Sequence, residues 1–235
     1  MGRAFEFRRA RKERRWDKMA KTFTKIGREI AIAVKSGGGI PETNPRLRLA
    51  MQNAKGANMP KDRVEAAIKR ASSKEAGDFQ EVVYEGYGPH GVAVVVECAT
   101  DNPTRTVANV RHYFTRAGGS LGTSGSLDFL FERKGVFRLP AEGIDFDELS
   151  LELIDYGAED VQIEDGEILI YTQFIDFGGM QKALEEKSLE VSSAELHRIP
   201  TSTVELTDEQ AEEAMAMLEK MEDDDDVQGV FSNVA

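Results

Sequence analysis

Apolar residues at Trp16, Met19, Phe23, Ile26, Ile30 and Val34 recur at steps of three and four. That spacing predicts a helix over residues 5–35 with one inward face. The pattern stops at Gly37-Gly38-Gly39. Asn44-Pro45 reads as an N-cap followed by proline in the first helical position. It opens a second helix whose stripe is Leu47, Ala50, Met51 and Ala54, broken by Gly56 and Asn58. A third helix opens at Pro60 and turns Val64, Ala67, Ile68 and Ala71 inward, although Met59 before it supplies no capping side chain. Three helices joined by tight loops make a small bundle. Ser72 to Asp78 is polar, contains Gly77 and reads as a linker.

Beyond the linker the period changes from helical to alternating. Val82-Val83-Tyr84 and Val92–Ala99 are β-branched runs flanking a glycine-rich turn, which predicts a hairpin. Asn102-Pro103 repeats the cap-and-proline device before a helix marked by Val107, Val110, Phe114 and Ala117, ending at Gly118-Gly119. A loop over Gly118–Gly125 then leads to a strand at Leu127–Glu132. The next stretch has a complete rhythm of its own. It comprises a strand at Val136–Leu139 and a helix capped by Asp145 with Glu148 three residues on. Strands at Val161–Glu164 and Ile168–Thr172 then flank Asp165-Gly166. A helix over Gly179–Lys187 and a strand near Leu189–Ser193 continuing toward Ile199 complete β-α-β-β-α-β, the ferredoxin-like pattern. The last stretch predicts a strand at Thr203–Leu206, a helix opened by the Thr207/Gln210 capping box with Ala211, Ala214, Met215 and Leu218 inward, and a strand at Val227–Ser232. Neither this β-α-β nor the one at Val92–Glu132 closes a sheet alone. Joined, they make a second such unit that receives residues 134–199 as an insertion.

The expected fold class is therefore α+β: an N-terminal three-helix basic domain followed by two ferredoxin-like α/β domains, the second inserted into the first. The expected domains are residues 1–76, then 79–133 together with 200–235, then the inserted 134–199.

Charge sharpens this division. Residues 3–70 hold 19 Lys+Arg against 7 Asp+Glu, although the whole 235-residue chain carries 30 against 42 and a net −12. A polyanion would bind the first part and be repelled by the remainder, which favours nucleic acid as the partner. A solvated Lys/Arg-rich helical face is the alternative, but the imbalance runs far beyond one helix. The sole cysteine, Cys98, lies in an apolar run; it excludes an internal disulfide and suits a reducing compartment. The longest apolar run, Val92–Val96, is too short to span a bilayer, and no apolar segment follows the basic N-terminus, so the expected location is the cytoplasm.

Catalytic and cofactor signals are absent or fail on context. Gly86-Tyr87-Gly88-Pro89-His90-Gly91 satisfies G-x-G-x-x-G, but a β-branched run follows where a dinucleotide site needs a helix N-terminus. The loop Gly118–Gly125 lacks the Gly-Lys-Ser/Thr of a P-loop. His90, His112 and His197 are too scattered for metal-ligand spacing. The five carboxylates Glu222–Asp226 read as a solvated loop. No catalytic group, metal or cofactor is expected.

Several stretches then fall into one familiar order. They are Phe23-Thr24-Lys25, Asn44-Pro45-Arg46-Leu47-Arg48, Asn58-Met59-Pro60-Lys61-Asp62, Ala67-Ile68-Lys69-Arg70, Tyr84-Glu85-Gly86-Tyr87-Gly88-Pro89, Thr100-Asp101-Asn102 with Arg105-Thr106, Gly118-Gly119-Ser120-Leu121-Gly122, and Val227-Gln228 with Ser232-Asn233. The chain resembles the YebC family, which includes the mitochondrial translational activator of cytochrome c oxidase, over nearly its whole length from Phe23 onward. The resemblance implies three domains with the last two interleaved. It also implies one of two roles, neither needing catalysis: a DNA-binding transcriptional regulator, or a ribosome-associated translation factor that relieves stalling at consecutive prolines. Family members commonly begin Gly-His-Ser-Lys-Trp, whereas this chain begins Met1-Gly2-Arg3-Ala4-Phe5-Glu6-Phe7.

The expectation is thus a non-enzymatic regulator that binds ribosomal RNA on the ribosome. Duplex DNA is the alternative target, and a small-molecule-sensing module the alternative role. No membrane partner is expected, and nothing in the sequence specifies an oligomer. The candidate phosphate contacts are Arg8, Arg9, Arg11, Lys12, Arg14, Arg15, Lys18, Lys21, Lys25, Arg28, Arg46, Arg48, Lys55, Lys61, Lys69 and Arg70. Phe5 and Phe7 are candidates to stack on unpaired bases, while Trp16 lies on the inner stripe and reads first as core, with stacking the alternative. Asp101, Asn102 and Arg105, with Gly118, Gly119, Ser120 and Gly122, form candidate partner-facing loops, because small residues let a backbone approach closely; plain turn chemistry explains them as well.

Overall fold

The computed structural model describes residues 3–73 and 77–235, with side chains from Met19 onward. Two compact units divide the chain, Met1–Phe79 and Gln80–Ala235.

The first unit contains α1 (Arg3–Gly37), α2 (Pro45–Gly56) and α3 (Lys61–Ala71). Ile26, Ile30, Val34, Leu47, Ala50, Ala54 and Val64 meet in its core, where each large aliphatic side chain contributes about 1.5–3 kcal/mol by leaving water. The inward stripe of α1 holds from Phe23 onward, but Met19 is 40% exposed and lies off it. Asn44 makes the α1–α2 corner. Its Oδ1 accepts from the Leu47 N–H at 3.1 Å while its Nδ2 donates to the carbonyls of Ala33 (2.7 Å) and Gly38 (2.8 Å). A Cβ on Gly37 would lie 2.7 Å from the Asn44 side chain, and Gly38 takes φ +84°, so the glycine run serves this buried amide. Helix α3 starts without a side-chain cap; the Pro60 carbonyl takes the N–H groups of Arg63 and Val64 instead.

The second unit holds two four-stranded antiparallel sheets. The strands are β1 (Gln80–Tyr87), β2 (Ala93–Thr100), β3 (Ser120–Leu121), β4 (Phe131–Pro140), β5 (Ala158–Glu164), β6 (Glu167–Gln173), β7 (Ser193–Pro200) and β8 (Val227–Ser232). The helices are α4 (Pro103–Arg116), α5 (Phe146–Ile154), α6 (Phe177–Glu186) and α7 (Asp208–Glu222). One sheet runs β5-β6-β4-β7 and realises the ferredoxin-like order expected of the inserted segment. Asp145 caps α5 by accepting from the Glu148 N–H, and Asp165 and Gly166 both take positive φ in the β5–β6 turn.

The other sheet runs β3-β1-β2-β8. It is assembled from different strands than expected. Leu127–Glu132 is not its strand: residues 128–130 form a 3-10 turn, and Phe131–Pro140 is one continuous strand of the other sheet. Gly135 lies in mid-strand, where a Cβ would meet Phe177 and Thr172 at 2.5 Å. Thr203–Leu206 is reduced to a single bridge, Val204 to Val234. The hairpin strand β1 fills the central slot between β2 and β3. Helices α4 and α7 cover one face through Val110, Phe114, Ala214, Met217, Leu218 and Met221. Met215, expected inward, is 47% exposed, and Met217 takes its place. The opposite face packs Ala93 and Val95 on Leu127 and Phe131. Arg198 of β7 donates to Glu97 of β2 at 2.8 Å, so an ion pair joins the two sheets.

Candidate nucleic-acid interface

Nine of the candidate basic side chains lie among the described residues of the first unit. Arg46, Arg48 and Lys55 on α2 and Lys61, Lys69 and Arg70 on α3 are exposed; Lys21, Lys25 and Arg28 on α1 are half-buried. Some also hold the unit together. Arg48 donates to the Pro41 and Glu42 carbonyls, bracing the 3-10 turn before α2. Arg28 lies over the Phe79 ring at 5.3 Å, and Arg63, absent from the expected set, over Phe23 at 5.7 Å. Lys35 donates to Asp78 at 2.6 Å; that bond, then its charge, holds the Asp78 carboxyl below its ordinary range. Lys61 and Glu65 form an exposed i,i+4 pair. The side chains of Arg8, Arg9, Arg11, Lys12, Arg14, Arg15 and Lys18, and of Phe5, Phe7 and Trp16, lie outside the described residues, although their backbone runs within α1.

The candidate loops of the second unit each have an internal role. Asn102 caps α4 by accepting from the Arg105 N–H at 3.1 Å. Gly118 takes φ +79°, and a Cβ on Gly119 would lie 2.2 Å from the Tyr87 carbonyl oxygen, so only glycine fits that crossing. Gly122 donates its N–H to the Glu85 carbonyl at 2.7 Å.

Two buried carboxylates organise this region, and sequence reasoning passed over both. Glu85, 3% exposed, accepts from the N–H groups of Gly125 at 2.8 Å and Leu127 at 2.7 Å, fastening the glycine-rich loop to β1. Asp226, also 3% exposed, accepts from the hydroxyls of Thr100 and Thr106 and from Arg105, which also reaches Asp101. Asp224 accepts from Asn109 Nδ2 at 3.2 Å and the Tyr113 hydroxyl at 2.9 Å. The run Glu222–Asp226 is thus not wholly a solvated loop: Asp224 and Asp226 turn inward to donors on α4, while Glu222, Asp223 and Asp225 are exposed. The signal was present, since Arg105, Asn109 and Tyr113 are spaced by four and share one helix face. Burial first, then the Asp224 bond and neighbouring carboxylate charge, push the Tyr113 phenol up to about 12. Farther along, Asn233 exchanges hydrogen bonds with Ala93, its Oδ1 accepting at 2.8 Å and its N–H donating to the carbonyl at 3.2 Å.

The G-x-G-x-x-G segment ends β1 with Gly86 and Tyr87 and continues through the β1–β2 turn, with His90 at φ 58° and its Nε2 2.8 Å from Glu213. Cys98 is buried in β2. Among the described residues no group of three or more His, Cys, Asp or Glu is placed to hold a metal ion, and no helix is long and apolar enough to cross a membrane.

Known proteins share this arrangement. A solved structure of a conserved hypothetical protein from Aquifex aeolicus superposes with a TM-score of 0.82 at 43% identity, covering 92% of this chain and 90% of that one. A protein of Cytophaga hutchinsonii named probable transcriptional regulatory protein is 61% identical over 235 residues, covering 100% of this chain and 99% of its own. One of the same name from Parabacteroides distasonis is 56% identical, covering 100% of this chain and 97% of its own. The family model for the TACO1/YebC protein N-terminal domain matches residues 3–74, and that for the TACO1/YebC second and third domain matches residues 79–234. Matches on both sides of the linker, at this identity, show that the chain belongs to the TACO1/YebC family.

Proposed function

We propose that this protein regulates gene expression by binding nucleic acid through its basic helical unit, that it performs no catalysis of its own, and that its target is structured RNA on the ribosome. The carrying observation is the coincidence of charge with architecture. The excess of 19 Lys+Arg over 7 Asp+Glu in residues 3–70 falls within the unit that ends at Phe79. The names of the relatives from Cytophaga and Parabacteroides support a regulator. Exposed Arg46, Arg48, Lys55, Lys61, Lys69 and Arg70, together with the basic run of α1, would supply phosphate contacts, which position a partner without reading its sequence. The remainder works as two interleaved domains, 79–133 with 200–235 and 134–199, whose loops at Asp101–Arg105 and Gly118–Gly122 reach the partner. Relief of stalling at consecutive prolines in the cytoplasm is the role that fits a ribosomal target.

The relatives' names favour a second reading, regulation of transcription on duplex DNA. Affinities of the full chain for purified ribosomes and for promoter duplex, measured at one fixed salt concentration, separate the two. Tighter ribosome binding is expected. Tight promoter binding without ribosome association would overturn the RNA target, and binding to neither would overturn both.

A further inference from the structure

Helices α4 and α7 leave a cleft of about 430 Å³ between them, and its lining includes Tyr113, whose hydroxyl is bonded to Asp224. This is the size of a small-ligand site. Tyr113, Ala117, Ala216 and the buried Met217 contribute apolar surface to its lining; His112, Arg116, Lys220 and Glu213 supply its polar groups. The rings of His112 and Tyr113 stand 6.4 Å apart at 57°, presenting aromatic surface to a flat occupant.

In this acidic unit Arg105, Lys134, Arg138, Lys182, Lys187 and Arg198 each pair with a carboxylate, whereas Arg111 and Arg133 have no ion pair among the described residues, Arg133 lying over the Phe174 ring at 4.6 Å. Arg116 and Lys220 have no ion pair among the described residues. Glu213, the one acid of the lining, is engaged by His90 at 2.8 Å. Two unneutralised cations beside a low-polarity floor form a place where an anion gains charge-assisted bonds while its body leaves water.

We propose that this cleft is a binding site for a small amphipathic anion, a planar aromatic body carrying one phosphate or carboxylate group. The ring lies over Met217 and Ala216 beside Tyr113, and the anionic group meets Arg116 and Lys220. The site does not depend on nucleic-acid binding by the helical unit and stands or falls separately from it.

The test is an amide NMR titration of the full chain with 1-naphthyl phosphate, run beside inorganic phosphate and neutral 1-naphthol. Shifts confined to α4 and α7 are expected, with each half-ligand binding at least tenfold more weakly. The double variant R116E/K220E should weaken 1-naphthyl phosphate at least tenfold. A216W, which fills the cleft from an exposed position, should block it while leaving the charges in place. Absence of localised shifts at millimolar ligand, binding of 1-naphthol as tight as that of its phosphate, or affinity unchanged in both variants would overturn the site.

Discussion

Asp226 Oδ2 lies 2.8 Å from Arg105 Nη2 across 121 residues of sequence, joining the start of α4 to the turn that enters β8. Asp226 is buried while the Arg105 side chain is 47% exposed, so the two ends of the pair differ in what they risk. Asp226→Ala removes an acceptor from two hydroxyls and a guanidinium and should cost about 2–3 kcal/mol. Arg105→Ala leaves the carboxylate its two hydroxyls and should cost less, since the guanidinium end of the pair is solvated. Urea denaturation of both variants and of the double mutant checks the order; an equal loss in the two singles would contradict it.

Glu85 should govern the glycine-rich loop. Glu85→Gln preserves volume but puts an amide N–H₂ where one of two backbone donors now points, leaving that donor unpaired at a cost of about 1–3 kcal/mol. Hydrogen exchange should lose protection at Gly125 and Leu127, while amides in β5 and β6 keep theirs. Unchanged exchange at Leu127 would show that the loop is held by other means.

Tyr113 gives stability a signature in alkali. Its phenol keeps the proton to about 12 in the folded chain, but an unfolded tyrosine releases it near 10. The folded state therefore binds more protons between those values, and stability present below pH 10 falls as pH rises from 10 to 12. Absorbance titration near 295 nm should show a late phenolate transition that Tyr113→Phe removes. At neutral pH that variant should lose about 1 kcal/mol with the bond to Asp224.

Reversing Arg8, Arg9, Arg11, Lys12, Arg14 and Arg15 to Glu should abolish nucleic-acid binding while the sheet amides retain their exchange protection. If the native chain covers about six phosphates, raising salt from 50 to 200 mM should weaken binding on the order of 10³-fold. Affinity indifferent to salt would place the contact surface elsewhere.

What was legible in the sequence is what local chemistry dictates. Asn44, Asn102, Asp145 and Thr207 announce their helices because a cap bonds a donor two or three residues away, and all four make that bond. Asp165-Gly166 announces its turn because few other pairs accept two positive φ angles. The first sheet was read less well. Its third neighbour is a hairpin strand rather than the next strand in order, and Ser120–Leu121 is too short to leave a periodic trace. Met217 displaces Met215 because the helix phase is set by the face it meets, and methionine spacing alone does not define that face. Among site residues, basic charge survives as a pattern because exposed cations need no partner to be recognised. Glu85 and Asp226 looked like any other carboxylates, since their donors arrive from 40 and 121 residues away.

The strand order has a consequence for synthesis. The sheet β5-β6-β4-β7 draws only on residues 131–200, so it can close as soon as that stretch leaves the ribosome. The sheet begun earlier by β1 and β2 must wait for Val227–Ser232, since β2 has its open edge there until β8 arrives. Assembly therefore proceeds inside out: the later-made sheet matures first, and the nascent chain carries the valine-rich edge of β2 unpaired until β8 emerges.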